Sequence, residues 1–457
     1  MRAKESRGES REGSAGRAVS STARACEDIP AVAVVGMGYV GLTLASVLAM
    51  RGYRVHGVEK NPHVAGTLRR REVHLVEPGV REAVRDCVGV NWTVGGEYTF
   101  APDVAVICVS TPLRADGVPN LSNLKEAAGV LAGRMREGGL VVVRSTVPIG
   151  TTRRVVRPLL GDRRVRLAFC PERTIQGRAL CELMDLPQVI GALDEDSYEM
   201  AATFFAPLTR RVVRVSSLEA AEMVKLVNNC HTDVIYSFGN EVALMAKEFE
   251  LDPLEVIEAA NVDYPRPDLA RPGFVGGACL SKDPYILFSS FDPKHCTPRL
   301  IRAARELNER MPGEVAKHLL ELLRRSGKRP ADARILVCGF AFKGVPETDD
   351  VRGTPAIPFV RALSSSCLEI LGHDYVVRDE IVSSCGVRSV ALEEGFRLSD
   401  AVVFLNNHVR YAALDLSSLL ASVPRPFVLY DCWRIFRGRP EVRGEGIRYA
   451  GIGFEAS

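Results

Sequence analysis

Residues 31–59 read AVAVVGMGYVGLTLASVLAMRGYRVHGVE. Positions 31–50 are uncharged, and behind an Arg-rich start they imitate a membrane span or an export signal. Glycines at 36, 38 and 41 break that run, and a β-branched stretch precedes them. A strand, a tight turn and a helix explain this order better. The motif Gly36-x-Gly38-x-x-Gly41, with Tyr39 and Val40 inside it, lets a pyrophosphate approach a helix N-terminus, where free N–H groups favour anions. Glu59 ends the following strand candidate, 18 residues after Gly41. A carboxylate there can accept ribose hydroxyls and repel a 2′-phosphate, which selects NAD over NADP.

Outward from this stretch, short Val/Ile-rich runs alternate with helical ones. Strand candidates fall at 31–35, 54–58, 104–109, 140–144 and 165–169, an alternation that predicts a parallel sheet covered by helices on both faces. Near Ser217 the texture becomes helical, with a serine N-cap candidate, an apolar helical period and a second helix at 253–261. Residues 298–326 read as helix with an interruption near Pro312-Gly313. A strand restarts at Ala333, and later strand candidates lie at 401–405 and 427–431. The fold class is therefore α/β, with two Rossmann-like doubly wound domains joined by a central helical domain. The expected divisions are a disordered, Ser/Arg/Gly/Glu-rich tail at 1–28, then 29–214, 215–328 and 329–457.

The chain has 457 residues, room for about three domains. A net charge of +3 is too small and dispersed to argue for nucleic acid. Twelve cysteines stand singly, with no C-x-x-C pair and no His/Cys cluster at ligand spacing. This pattern predicts reduced thiols in the cytoplasm, no disulfide framework and no metal site.

Five further stretches carry chemistry. RPGFVGGACLSKDPYILF, 271–288, places Gly273, Gly276 and Gly277 around Cys279, followed by Lys282-Asp283. It is either a Gly-rich loop with a structural thiol or a backbone that something must approach closely. CVSTP and STVPIGTT each follow an apolar strand, so Thr111 and Thr146 are either ordinary turn residues or meet a ligand at the strand ends. Lys225 and Asn229 share one face of the central helix, near Val224 and Val227 on its core side. That lysine either snorkels to water or serves a site as an acid/base or oxyanion partner. In CPERT, Glu172 and Arg173 either form a surface ion pair or place a carboxylate where it can position water.

In order, GMGYVG, STVPIGTT, CPER, KLVNN, GGACLSKD, FAFKGVPETDDVR and DCWR together resemble the nucleotide-sugar 6-dehydrogenase family, which comprises the UDP-glucose, UDP-N-acetylmannosamine and GDP-mannose dehydrogenases. The resemblance covers about residues 30–455. It implies an N-terminal NAD-binding domain, a central helix that mediates homodimerisation, and a C-terminal domain that holds the UDP part of a UDP-sugar. It implies that Cys279 is the nucleophile, that Lys225 and Asn229 steady oxyanions, and that Asp283, Thr146 and Glu172 order water. Lys282 and Arg352 resemble cofactor contacts, and Thr111 and Thr146, at their strand ends, are candidates to meet the same cofactor. Lys343, Arg434, Gly273, Glu172 and Arg173 resemble substrate contacts, and Arg266 resembles an arginine that reaches a neighbouring subunit's substrate. Such enzymes oxidise a C6 hydroxymethyl group twice, through a thiohemiacetal and a thioester, to a uronic acid and two NADH.

CPER and YPR resemble the N-acetylhexosamine branch more than the glucose branch, although Thr232 stands where that branch carries an arginine and the cysteine loop is one residue short. UDP-glucose by the same mechanism is the alternative. A β-hydroxyacid dehydrogenase would need neither Cys279 nor a third domain. A non-catalytic NAD- or nucleotide-sugar-binding protein would not need Cys279, Lys225 and Asp283 together.

Overall fold

The computed structural model describes residues 30–161, 165–265 and 268–456; the expected tail at 1–28 and Arg266 lie outside them. The first sheet contains β1 (Ala31–Val35), β2 (Arg54–Val58), β3 (Trp92–Gly95), β4 (Val104–Ile107), β5 (Leu140–Val143), β6 (Arg166–Phe169), β7 (Gln188–Ala192) and β8 (Val212–Arg214). Its order is β3-β2-β1-β4-β5-β6-β7-β8. All five residues of AVAVV in β1 are buried, as a parallel strand covered on both faces requires. The register runs from Ala31 opposite Arg54 to Val35 opposite Val58. β7 runs antiparallel to β6, so only the far edge departs from the parallel arrangement. The order reverses between β1 and β4, which opens a crevice at their carboxyl ends. β4 and β5 stop at Ile107 and Val143, slightly short of the sequence expectation, because the chain turns there into the loops that border the crevice.

Leu218–Glu248 is one continuous helix, capped by the Ser217 side chain, which accepts from Ala220 N. The shorter helix Pro253–Asn261 follows as expected. Arg299–Arg325 is also continuous, so the break expected near Pro312 does not occur. Proline has no N–H to give the preceding turn, yet Leu307, Met311 and Val315 are buried in one cluster with Ala243 of the central helix. Burial on both sides of Pro312 keeps the two segments in line.

The second sheet contains β9 (Arg334–Cys338), β10 (Glu369–His373), β11 (Arg388–Ser389), β12 (Ala401–Phe404), β13 (Phe427–Asp431), β14 (Ile447–Gly451) and β15 (Phe454–Glu455). Its order, β11-β10-β9-β12-β13-β14-β15, repeats the arrangement of the first six strands. The fold is thus two doubly wound sheets with a helical region between them. The stretch 31–50 is strand, turn and helix, and among the described residues no helix is long and apolar enough to cross a membrane.

Candidate active site

The crevice begins at the glycine turn. Gly36 has φ +93°, and a Cβ there would lie 3.0 Å from the Cys108 carbonyl oxygen. A Cβ on Gly41 would sit 1.8 Å from the Gly36 carbonyl oxygen, so the helix can approach the strand only without one. Gly38 differs: a side chain there would meet nothing within 4 Å. Its missing side chain leaves open space at the N-terminus of helix Tyr39–Met50, where a phosphate is favoured. Glu59 accepts from Met37 N and Asn61 N, both at 2.8 Å, one on each oxygen. Each oxygen keeps a lone pair for a ribose hydroxyl. Tyr39 and Val40 begin the helix, and the Tyr39 hydroxyl donates to Glu77 at 2.5 Å. Thr111 donates to the Thr146 carbonyl at 2.7 Å and stands 3.5 Å from Lys282 Nζ. These residues fit a dinucleotide.

Facing them is a buried cluster of charges. Lys225 Nζ lies 3.4 Å from Glu172 Oε2, with both side chains almost fully buried. Burial works against the ammonium, but Glu172, Cys279 and Asp283 outweigh it and hold Lys225 above its ordinary value. Burial likewise works against the Glu172 carboxylate, but Lys225 and a bond from Thr174 hold it below the usual range. Both groups therefore stay charged. Asn229 Nδ2 donates to Asp283 Oδ2. Asp283 is fully buried, and its Oδ1 faces Lys282 Nζ at 3.4 Å without a hydrogen bond among the described residues. Lys225 does not snorkel; of the two valines expected on the core side, Val224 packs partly buried against the first domain's core, whereas Val227 is exposed.

Cys279 lies on a single helical turn, Gly277–Leu280, capped by Gly276. The residue is exposed to solvent, although neighbouring atoms crowd its thiol. Crowding raises its thiol pKa, Asp283 raises it further, and Lys225 and Lys282 only partly offset this. The two lysines therefore do not produce the lowered pKa that proximity alone suggests. The glycines around the thiol face protein. A Cβ on Gly273 would lie 2.8 Å from Trp433, one on Gly276 2.6 Å from the Gly353 carbonyl oxygen, and one on Gly277 2.7 Å from Phe342. Their absence lets the cysteine loop dock closely against the long loop after β9 and against Trp433, which follows β13.

The C-terminal half supplies Lys343 and Arg352 from the loop after β9 and Arg434 from the turn after β13. Lys343 donates to the Gln176 carbonyl at 2.7 Å, and burial pushes its pKa down. Arg352 forks onto Asp350 at 2.9 and 2.7 Å, close enough to Cys279 to feel its charge. Arg434 forks onto Asp252 at 3.2 Å and lies 3.5 Å over the Phe454 ring, leaving its Nε without a partner among the described residues. Arg173 turns away to the Pro187 carbonyl. Sequence reasoning missed Glu77, which accepts from Gly177 N and Ala179 N as well as from Tyr39. It also missed Glu222, which accepts from Gly150 N and from Thr152 N at 2.7 Å and so holds the STVPIGTT loop against the central helix. A glutamate three residues before Lys225 on the same helix was the available signal. No group of three or more potential metal ligands occurs among the described residues.

Three family models match the chain: the NAD binding domain of the UDP-glucose/GDP-mannose dehydrogenase family at 30–209, its central domain at 219–310 and its UDP binding domain at 336–438. A UDP-N-acetyl-D-mannosamine dehydrogenase of Pyrococcus horikoshii is 33% identical over 92% of this chain and 99% of its own length. An NDP-N-acetyl-D-galactosaminuronic acid dehydrogenase of Ralstonia solanacearum is 32% identical over 87% and 95%. The solved Pyrococcus horikoshii UDP-D-ManNAc dehydrogenase superposes with TM-score 0.84 at 32% identity, over 92% of this chain and 99% of that one. A UDP-glucose dehydrogenase structure from Pyrobaculum islandicum gives 0.82 at 26% identity, over 93% and 98%. Matches across all three parts of the chain, with identity above 30% over nearly its whole length, make this protein a member of the UDP-glucose/GDP-mannose dehydrogenase family, an NAD-dependent nucleotide-sugar dehydrogenase.

Proposed function

We propose that the protein oxidises the C6 hydroxymethyl group of a UDP-N-acetylhexosamine to the carboxylate, with Cys279 as the covalent nucleophile. The observation that carries this reading is the convergence of Lys225, Glu172, Asp283 and Lys282 on the Cys279 thiol. The N-acetylhexosamine is favoured over UDP-glucose by CPER and YPR and by the names of the relatives above 30% identity. The proposed divisions are 29–214 for NAD, 215–328 for the central helices and 329–457 for the UDP-sugar. The exposed apolar side chains Met223, Val227, Tyr236 and Phe238 on the central helix support homodimerisation through it. Residence in the cytoplasm accords with the unpaired cysteines among the described residues.

Gly36, Gly38, Tyr39, Val40, Gly41, Glu59, Thr111, Lys282 and Arg352 would hold NAD, which accepts one hydride in each oxidation. The other tasks fall to the chain. Lys225 and Asn229 stabilise negative charge on the C6 oxygen. The Cys279 thiol gives up its proton to solvent and the thiolate adds to the C6 aldehyde: a C–S bond forms, and the carbonyl π pair becomes an alkoxide facing Lys225. The second oxidation converts this adduct to a thioester. Water held by Asp283, Thr146 and Glu172 adds to the thioester carbon, the C–S bond breaks, and the thiol is restored. In balance, the alcohol, two NAD⁺ and one water give the carboxylate, two NADH and three protons. Lys343 and Arg434 contact the UDP part of the substrate. Mass spectrometry of reactions with a panel of UDP- and GDP-sugars, with NADH counted per sugar, tests the reading. Two NADH and a UDP-N-acetylhexosaminuronate are expected; one NADH per sugar, or preference for UDP-glucose, rejects it.

A further inference from the structure

The face of the central helix that carries Lys225 and Asn229 continues as Asp233, Ser237 and Asn240, at intervals of four, four, four and three residues. Asp233 and Asn240 are wholly buried and Ser237 nearly so, which is unusual for polar groups without a reason to be there. Their partners supply the reason. Asn240 Oδ1 accepts from Gly273 N at 2.9 Å, and its Nδ2 donates to Asn308 Oδ1 at 3.0 Å. Asn308 Nδ2 donates to Asp233 Oδ1 at 2.9 Å and to the Asp233 carbonyl at 3.0 Å. Arg305 pairs with Asp233 Oδ1 at 3.1 Å and donates to the Leu280 carbonyl at 2.7 Å. Arg305 Nε also lies 3.4 Å from Glu309, which accepts the Tyr285 hydroxyl at 2.9 Å.

A polar seam between two helices could be purely a packing device. This one ends elsewhere. Its two termini are backbone groups of the cysteine loop, Gly273 N before Cys279 and Leu280 O immediately after it. We propose that Asn240, Asn308, Asp233 and Arg305 form a clamp that sets the position of the Cys279 loop relative to Lys225 and Asn229, and that they are positioning residues for the second oxidation. One helix face thus presents the oxyanion groups and also fixes the distance to the thiol. Hydrogen bonds made at both ends of the loop limit the rotation of its single helical turn, and attack geometry is sensitive to displacements of about an ångström. The inference rests on the reading of Cys279 as the nucleophile.

The test uses the full-length protein in two forms: Asn240→Ala, and the paired Asp233→Asn/Arg305→Met, which leaves no lone buried charge. Iodoacetamide alkylation of Cys279 is measured by peptide mass spectrometry relative to the exposed Cys181 and Cys296, with buried Cys108, Cys170 and Cys338 reporting on the fold. We expect the Cys279 ratio to change by about threefold or more while the buried thiols stay protected. With sugar substrate, NADH per sugar should fall below two with release of aldehyde, and kcat should drop roughly ten- to a hundredfold. The KM for NAD should stay within about twofold, because the glycine cradle is untouched. An unchanged Cys279 ratio and two NADH per sugar in the variants overturn the clamp. So does equal reactivity of the buried cysteines, since the seam then only holds the fold. If wild type itself gives one NADH per sugar, the reading of the reaction fails, and the alkylation ratio alone decides the clamp.

Discussion

The two sheets share a strand order and a turn but put them to different uses. Gly36 leaves β1 at φ +93° and Gly339 leaves β9 at φ +97°. After Gly36 the helix begins three residues later, at Tyr39, so its N-terminus opens on empty space beside Gly38. After Gly339 the next helix begins only at Ala356, and the residues between them reach across to Cys279 and the loop around it. The acids that end the second strands differ as well. Glu59 receives one backbone N–H on each oxygen. Asp374 receives four, from Phe340 and Ala341 on Oδ2 and from Val376 and Val377 on Oδ1. Its lone pairs are spent within the chain, and it has none left for a ribose. The same topology therefore supplies a cofactor cradle in one half and a scaffold for a reaching loop in the other.

The largest expected effect comes where the two halves meet. Cys279→Ala should reduce uronate formation by about a thousandfold or more, leaving at most aldehyde-level chemistry, because no thioester can form. The measurement is NADH per sugar with intact-protein mass on quenched samples. Uronate at the wild-type rate would show that the thiol only packs the loop. The next effect separates the two turns. Gly38→Ala enters open space, so Tm should move by less than about 2 °C while Kd for NAD rises about tenfold or more. Gly339→Ala places a Cβ 2.6 Å from the Asn406 side chain at a strained φ, so it should lower Tm and leave NAD affinity of the folded fraction unchanged. Equal loss of NAD affinity in both variants would erase the distinction.

The acids give a smaller contrast. Glu59→Ala removes a charged hydrogen-bond acceptor and should weaken preference for NAD over NADP by about tenfold in steady-state kcat/KM. Asp374→Asn should leave that preference alone. It should lower stability by about 1–3 kcal/mol in urea unfolding, because an amide nitrogen cannot accept from the N–H groups it would face. An altered cofactor preference in Asp374→Asn is the outcome that breaks the comparison. The smallest effect is a displacement in pH. Crowding and then Asp283 raise the Cys279 thiol pKa, so its alkylation by iodoacetamide should reach half-maximum on the alkaline side of an ordinary thiol. The thiolate is the reacting form, so rates rise with pH. Asp283→Asn removes a negative charge that disfavours the thiolate, and the midpoint should move down. A midpoint that moves up, or stays, contradicts the placement of Asp283 beside the sulfur.

Much of this was legible in the chain itself. The alternation of apolar runs with helical stretches dictated two parallel sheets, and the spacing of Gly36, Gly38, Gly41 and Glu59 announced a dinucleotide. The Ser217 cap, the helix 253–261 and the pairing of Lys225 with Asn229 on one face follow from local sterics and helical periodicity, which act over a few residues. Pro312 is the exception that shows the limit of such rules: its local tendency is to break a helix, and burial on either side overrode it.

Tertiary structure decided what each group faces. Lys225 meets Glu172 across 53 positions, and Arg434 meets Asp252 across 182. No periodicity carries information over such spans. The glycines around Cys279 signalled close approach correctly, but only the folded chain shows that Trp433, Gly353 and Phe342 are what approaches. The direction of the thiol's shift was hidden for the same reason. Two lysines near a cysteine in sequence or space suggest a stabilised thiolate, whereas the balance also counts crowding and two carboxylates. Local sequence determines which groups are available and which face of a helix they share. Their charge states depend on the sum of every neighbour that packing brings within range, and that sum exists only once the chain has folded.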